Sequence, residues 1–188
     1  MRWLVLHARS RQVPGSAAAI ALVSLAVWAL AESDPSNLQM AVFVLTANVA
    51  AASVGLGGWD PVLERTAAIR WVPRRAVHVL LIGLVAGLAL LTVRAAGVDL
   101  APTGVVVRDS AGLVGLAALG AVLCGARFAW TLPTGWLAFT VLVPSMTGVV
   151  GEVVSWMIFP PGTSVSAGTA WALCVTGTVA YAVAGPRR

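Results

Sequence analysis

The stretch Ala76–Val93, AVHVLLIGLVAGLALLTV, carries no charge, while Arg74 and Arg75 stand just before it and Arg94 just after. A helix crosses the hydrocarbon of a bilayer with about 20 mostly apolar residues. This stretch therefore reads as a membrane span with basic flanks. Five more apolar segments obey the same logic: about Ala17–Ala31, Leu38–Leu56, Ser110–Ala126, Gly135–Phe159 and Ser166–Ala184. The expected fold is all-α, a polytopic membrane domain of six transmembrane helices filling residues 1–188.

Composition agrees. Apolar side chains make up 59% of the chain and charged ones 10%, against roughly 25% charged in soluble domains. The mean hydropathy is +0.91. So few charges do not clothe a water-exposed surface of this size. The net charge of +5 and a pI near 11.0 would suit nucleic acid in a soluble protein. In a membrane protein the excess Arg marks cytoplasmic loops instead, and no nucleic-acid partner is expected. All twelve basic residues are Arg. The Ala, Gly, Val, Arg and Pro bias fits GC-rich codons and a bacterial plasma membrane.

Arg placement sets the expected orientation. With the N-terminus inside, Arg2, Arg9, Arg11, Arg65, Arg70, Arg74, Arg75, Arg127, Arg187 and Arg188 are cytoplasmic, and Arg94 and Arg108 lie outside. The outer loops also collect Glu32, Asp34, Asp99 and Asp109. Both termini are then inside, as an even number of spans requires. Trp3, Trp59, Trp71, Trp130 and Trp136 are expected at the inner interface, and Trp28 and Trp156 at the outer one, as an aromatic belt.

Small residues recur at helical spacing: Gly83 and Gly87, Ala111 and Gly115, Ala121 and Gly125, and Ala47, Ala51 and Gly55. They let helix backbones approach closely, first within one bundle and otherwise against a second subunit. Cys124 and Cys174 sit in apolar runs and form no disulfide or metal spacing.

One region breaks the apolar pattern. Gly57–Arg75, GGWDPVLERTAAIRWVPRR, holds six charges. Asp60 caps a helix start, Pro61 suits its first turn, and Glu64 adds charge favoured near a helix N-terminus. Pro73 is expected to stop this helix after Trp71. Such a helix either anchors topology at the membrane surface or docks a cytoplasmic partner. A second charged segment, residues 1–14, mixes Trp3, Leu4 and Leu6 with Arg2, Arg9 and Arg11, as an interfacial amphipathic helix does.

The fifth apolar segment is expected to be broken. Pro144 removes a backbone bond, and Gly148 and Gly151 loosen the next turns. Glu152 is the one acid placed inside an apolar segment. Buried carboxylates in membranes face a cavity or a partner. Glu152 belongs to an outer re-entrant hairpin ending at Pro160-Pro161, or lines a substrate path, or carries a proton. Asn48 is the other mid-membrane polar group, with an interhelical hydrogen bond as its simplest role. Asn48, Pro144, Glu152 and Trp156 form the expected substrate path or gate.

Enzyme motifs are lacking. Without Lys there is no Walker A loop. HExxH and GxSxG do not occur, and His7 and His78 are far apart. No catalytic, metal or cofactor site is expected.

The order of parts resembles the membrane subunit of an ABC-2-type (type V) ABC transporter: an amphipathic start, a charged helix after the second span, a broken fifth span and a short basic C-terminus. The resemblance implies a connecting helix at Met1–Val13. It implies a coupling helix at Asp60–Trp71, with Asp60, Glu64, Arg65 and Ile69 docking on a cytoplasmic ATP-binding subunit. It implies outer re-entrant helices at 144–161. ATP and Mg would sit on that partner, and a second permease copy or a paralogous permease would complete the pair within membrane lipid. The resemblance also implies export of a hydrophobic or amphiphilic substrate, with antibiotic resistance among the roles of such exporters. Two other readings stand beside it: the binding subunit of a vitamin or metal uptake system, and a non-transporting assembly or sensor protein.

Overall fold

The structure, a computed structural model, describes residues 13–31, 38–57, 71–142 and 148–187. Among them there is no strand. The helices are α1 (Val13–Leu30), α2 (Leu38–Ser53, continued by a 3-10 turn over Val54–Leu56), α3 (Trp71–Ala95), α4 (Thr103–Leu123), α5 (Thr131–Leu142), α6 (Gly148–Val154) and α7 (Ser164–Ala184). Residues 1–12 of the expected connecting segment and residues 58–70 of the expected charged loop 57–75 lie outside the described residues. So does Pro144.

Among the described residues, four helices are long and apolar enough to cross a membrane: Leu38–Leu56, Trp71–Ala95, Thr103–Leu123 and Ser164–Ala184. The first segment is a shorter apolar helix, Pro14–Leu30. The fifth is divided between α5 and α6.

The helices run alternately up and down. At one end, here the proximal end, the Tyr181 hydroxyl donates to the Leu56 carbonyl at 2.6 Å. The Arg187 amide donates to the Ala121 carbonyl at 2.9 Å, and His78 Nε2 lies 3.1 Å from the Gly55 carbonyl. So α2, α4 and α7 end there and α3 begins there. At the distal end the Trp28 indole donates to the Ala96 carbonyl at 3.3 Å. There Arg94 pairs with Asp99 at 3.2 Å and donates to the Thr103 hydroxyl at 2.8 Å. Arg74, Arg75, Arg127 and Arg187 are all proximal by this arrangement.

Helix α4 is the axis of the bundle, and small residues make that possible. Its Gly115 meets the backbone of Leu173 and Cys174, and Gly177 of α7 in turn meets the backbone of Gly115. A Cβ on Gly83 of α3 would stand 2.9 Å from Val114 Cγ1. The glycine pair Gly83 and Gly87 is thus used inside the chain, against Val114 and Ser110 of α4. Close approach of this kind replaces the water-driven force that bundles soluble helices. The outside is apolar: Leu22 and Leu25 on α1, Leu80 and Leu84 on α3, and Val175 and Val179 on α7 are exposed. A helix that is apolar all round belongs in a membrane or a large core.

Three expected boundaries are corrected. Helix α4 begins at Thr103 rather than near Ser110, so Arg108 and Asp109 are helical and not in an outer loop. Helix α3 begins at Trp71 rather than near Ala76. Pro73 therefore stands in the first turn of this helix and is not a stop at this position, because a first-turn N–H has no helical partner to lose. Helix α5 begins at Thr131, before Gly135. There the Thr131 and Thr134 hydroxyls donate to the Phe128 and Trp130 carbonyls, at 2.7 Å each, and Pro133 suits a first turn.

Candidate functional site

The most polar part of the interior is built on Arg108. Its side chain is 7% exposed, and that of Asp109 is fully buried. Arg108 Nε donates to Asp109 Oδ1 at 2.8 Å. Nη2 donates to the carbonyls of Phe159 at 3.0 Å and Met157 at 3.3 Å. Nη1 reaches the Pro160 carbonyl at 3.4 Å. One guanidinium thereby holds three carbonyls of the segment between α6 and α7. A planar guanidinium offers five N–H donors in a fixed fork, which suits carbonyls that helix geometry no longer satisfies.

Just before that segment the chain touches α5 at one point, the Val154 carbonyl that ends α6. The Trp136 indole donates to the Val154 carbonyl at 2.9 Å, and the Thr140 hydroxyl reaches the same oxygen at 3.2 Å. A continuous helix would separate residues 140 and 154 by roughly 21 Å. The chain must therefore reverse between them. Beyond Val154 a turn carries Trp156 inward, where its ring packs on Gly112 of α4. Only glycine fits there, since a Cβ would enter the ring.

Of the sequence-derived path residues, Asn48, Glu152 and Trp156 lie among the described residues. Asn48 is fully buried in α2, and neither atom of its amide has a hydrogen-bond partner among the described residues. Trp156 is fully buried with its indole N–H unpaired among those residues. It packs in the core and does not belong to an outer belt, because Gly112 opens a slot for it. Glu152 lies on α6 and is half-buried. No hydrogen bond joins Asn48 to Trp156 or Glu152 among the described residues. Trp136 is likewise held to Val154 and is partly buried, whereas Trp28 and Trp130 remain exposed as a belt requires. Asp60, Glu64, Arg65 and Ile69 lie outside the described residues, as do Trp3 and Trp59.

Two further atoms mark the interior near Arg108. Asp109 Oδ2 and the Ser166 hydroxyl are buried without a partner among the described residues. Buried polar groups are nearly always satisfied, so these atoms single out the region where α4, the fold-back segment and the start of α7 meet. Sequence reasoning places Arg108 and Asp109 in a loop. Val105-Val106-Val107 ahead of the pair is the available signal to the contrary, because it extends the apolar run past the charges. No group of His, Cys, Asp and Glu that could hold a metal occurs among the described residues. Cys124 and Cys174 are both free.

Comparison with family models, with curated proteins and with solved structures gives no match.

Proposed function

We propose that this chain is the transmembrane subunit of an ATP-driven exporter, with ATP hydrolysed by a separate cytoplasmic subunit. The observation that carries this reading is the return of the chain to α5 at Val154, followed by a segment whose carbonyls at 157, 159 and 160 Arg108 holds at the distal end. Irregular backbone at membrane depth is tolerated only where protein buries it or where it lines a cavity. It is therefore a natural closure for a path that opens outward. In this reading α1 and the α5–α6 pair complete six passes, both termini are cytoplasmic, and 144–161 is a re-entrant segment.

Gly57 and Trp71, which flank the charged stretch 58–70 in sequence, lie at the opposite, proximal end. As a coupling helix that stretch would receive the ATPase through Asp60, Glu64, Arg65 and Ile69. Movement there would pass through α2 and α3 to α4, whose Arg108 holds the distal segment. Each nucleotide state must favour a different arrangement for this to work. A second permease copy, or a paralogue, would meet the stripe of Met40, Phe43, Ala47 and Val54 that α2 leaves exposed.

Glu64→Ala and Glu64→Arg test the assignment. In reconstituted complexes both should uncouple ATP hydrolysis from transport while the permease stays folded. Normal coupling in both variants contradicts it. A single copy that retains one tightly bound small molecule and shows no export would favour uptake instead.

A further inference from the structure

A cleft of about 250 Å³ opens between α1, α2 and α3 near the proximal end, lined among others by Ile20, Ala52, His78, Leu81 and Val85. It is below the roughly 300–1,000 Å³ typical of drug-sized ligand sites, so a slim linear group suits it better than a ring system. Leu81 and Val85 are 48% and 45% exposed, so the cleft opens sideways, toward lipid if the helices span a membrane. His78 closes its proximal side by bridging to the Gly55 carbonyl.

Charge decides what kind of chain would enter. On α3 the lining residues His78, Leu81, Ile82 and Val85 form a helical stripe, and Arg74 stands one turn earlier on that stripe. Arg74 is exposed. Arg75 beside it is turned to Gly185, the residue after α7, instead, its guanidinium close to that residue. The stripe therefore runs from a cation at the bundle end to an apolar cleft about one to three turns deeper. That is the profile of a single acyl chain with an acidic head.

We propose that this cleft holds one acyl chain of an anionic membrane lipid, with the lipid phosphate against Arg74. Such a site needs only the membrane placement of the bundle and is separate from the export reading. A basic residue near a membrane surface contributes about 1 kcal/mol toward anionic lipid, which is roughly a fivefold preference.

Native mass spectrometry of the detergent-purified protein tests this with phosphatidylglycerol and phosphatidylcholine of identical chains. Wild type should retain one phosphatidylglycerol, with roughly fivefold preference over phosphatidylcholine. Arg74→Ala should bind the two lipids alike. Ala52→Phe, which fills the cleft, should lose both. If melting shows that Ala52→Phe has unfolded, Ala17→Phe fills the cleft from the opposite wall. Equal retention of both lipids by wild type, a preference that survives Arg74→Ala, or binding unchanged in the filled variant overturns the proposal.

Discussion

Arg108 donates to the carboxylate of Asp109, its immediate neighbour in the sequence, at 2.8 Å, and both side chains are buried on one helix. Adjacent helical residues do not normally face each other. Here the contact works because Arg108 lies across the start of α4 and reaches the carbonyls of Met157, Phe159 and Pro160 with its other nitrogens. The pair is both a neutralised charge and a clamp between two segments 49 to 52 residues apart.

Removing one member should be worse than removing both. Arg108→Met leaves the Asp109 carboxylate buried and unpaired, and should destabilise the bundle by about 3–5 kcal/mol. Arg108→Met combined with Asp109→Leu should recover a large part of that loss. Unfolding in detergent, arranged as a double-mutant cycle, measures the coupling.

Glycines should divide sharply by what surrounds them. Gly115→Leu has no room against the Leu173 backbone and should prevent α4 and α7 from packing. Gly112→Leu should expel Trp156, visible as a change in tryptophan fluorescence. Gly135 on α5 has nothing within 4 Å of its Cβ position. Gly135→Ala should be neutral or stabilising by up to about 1 kcal/mol, through helix propensity.

The proximal seam should depend on Tyr181. Its hydroxyl is buried and bonds the last carbonyl of the 3-10 turn after α2. Tyr181→Phe should lower stability by about 1 kcal/mol, the usual scale of an interhelical hydrogen bond in a bundle of this kind. Thermal melts of the two proteins in the same detergent read this directly.

The fold-back should loosen without unfolding the bundle. Trp136→Phe with Thr140→Val removes both donors to the Val154 carbonyl. Amide exchange should rise across 148–158 and stay unchanged in α4. Uniform exchange across the chain would show that these bonds support the whole bundle.

Much of this architecture is legible in the sequence because membrane helices announce themselves by uncharged length. The run Ala76–Val93 lies wholly inside α3, and the broken fifth segment can be read from Gly148 and Gly151 beside a proline. Gly83 and Gly87 read as packing positions, and they are. Arg108 and Asp109 read wrongly as loop residues because charge in an apolar chain normally marks a loop. Two adjacent opposite charges that neutralise each other inside a helix look the same in sequence as two exposed ones. The partner carbonyls at 157–160 are equally hidden, since a carbonyl is common to every residue. Trp156 reads as an outer-belt or gate residue, whereas the slot at Gly112 draws it inward.

The proposed export role requires an ATPase on a separate chain. Tagged protein purified from its native membrane in mild detergent, with mass spectrometry of what accompanies it, tests this most directly. The expected result is a stoichiometric P-loop ATPase that is lost when Asp60–Trp71 is disrupted. A protein that purifies without any ATPase would contradict it and leave the charged segment as a topology anchor.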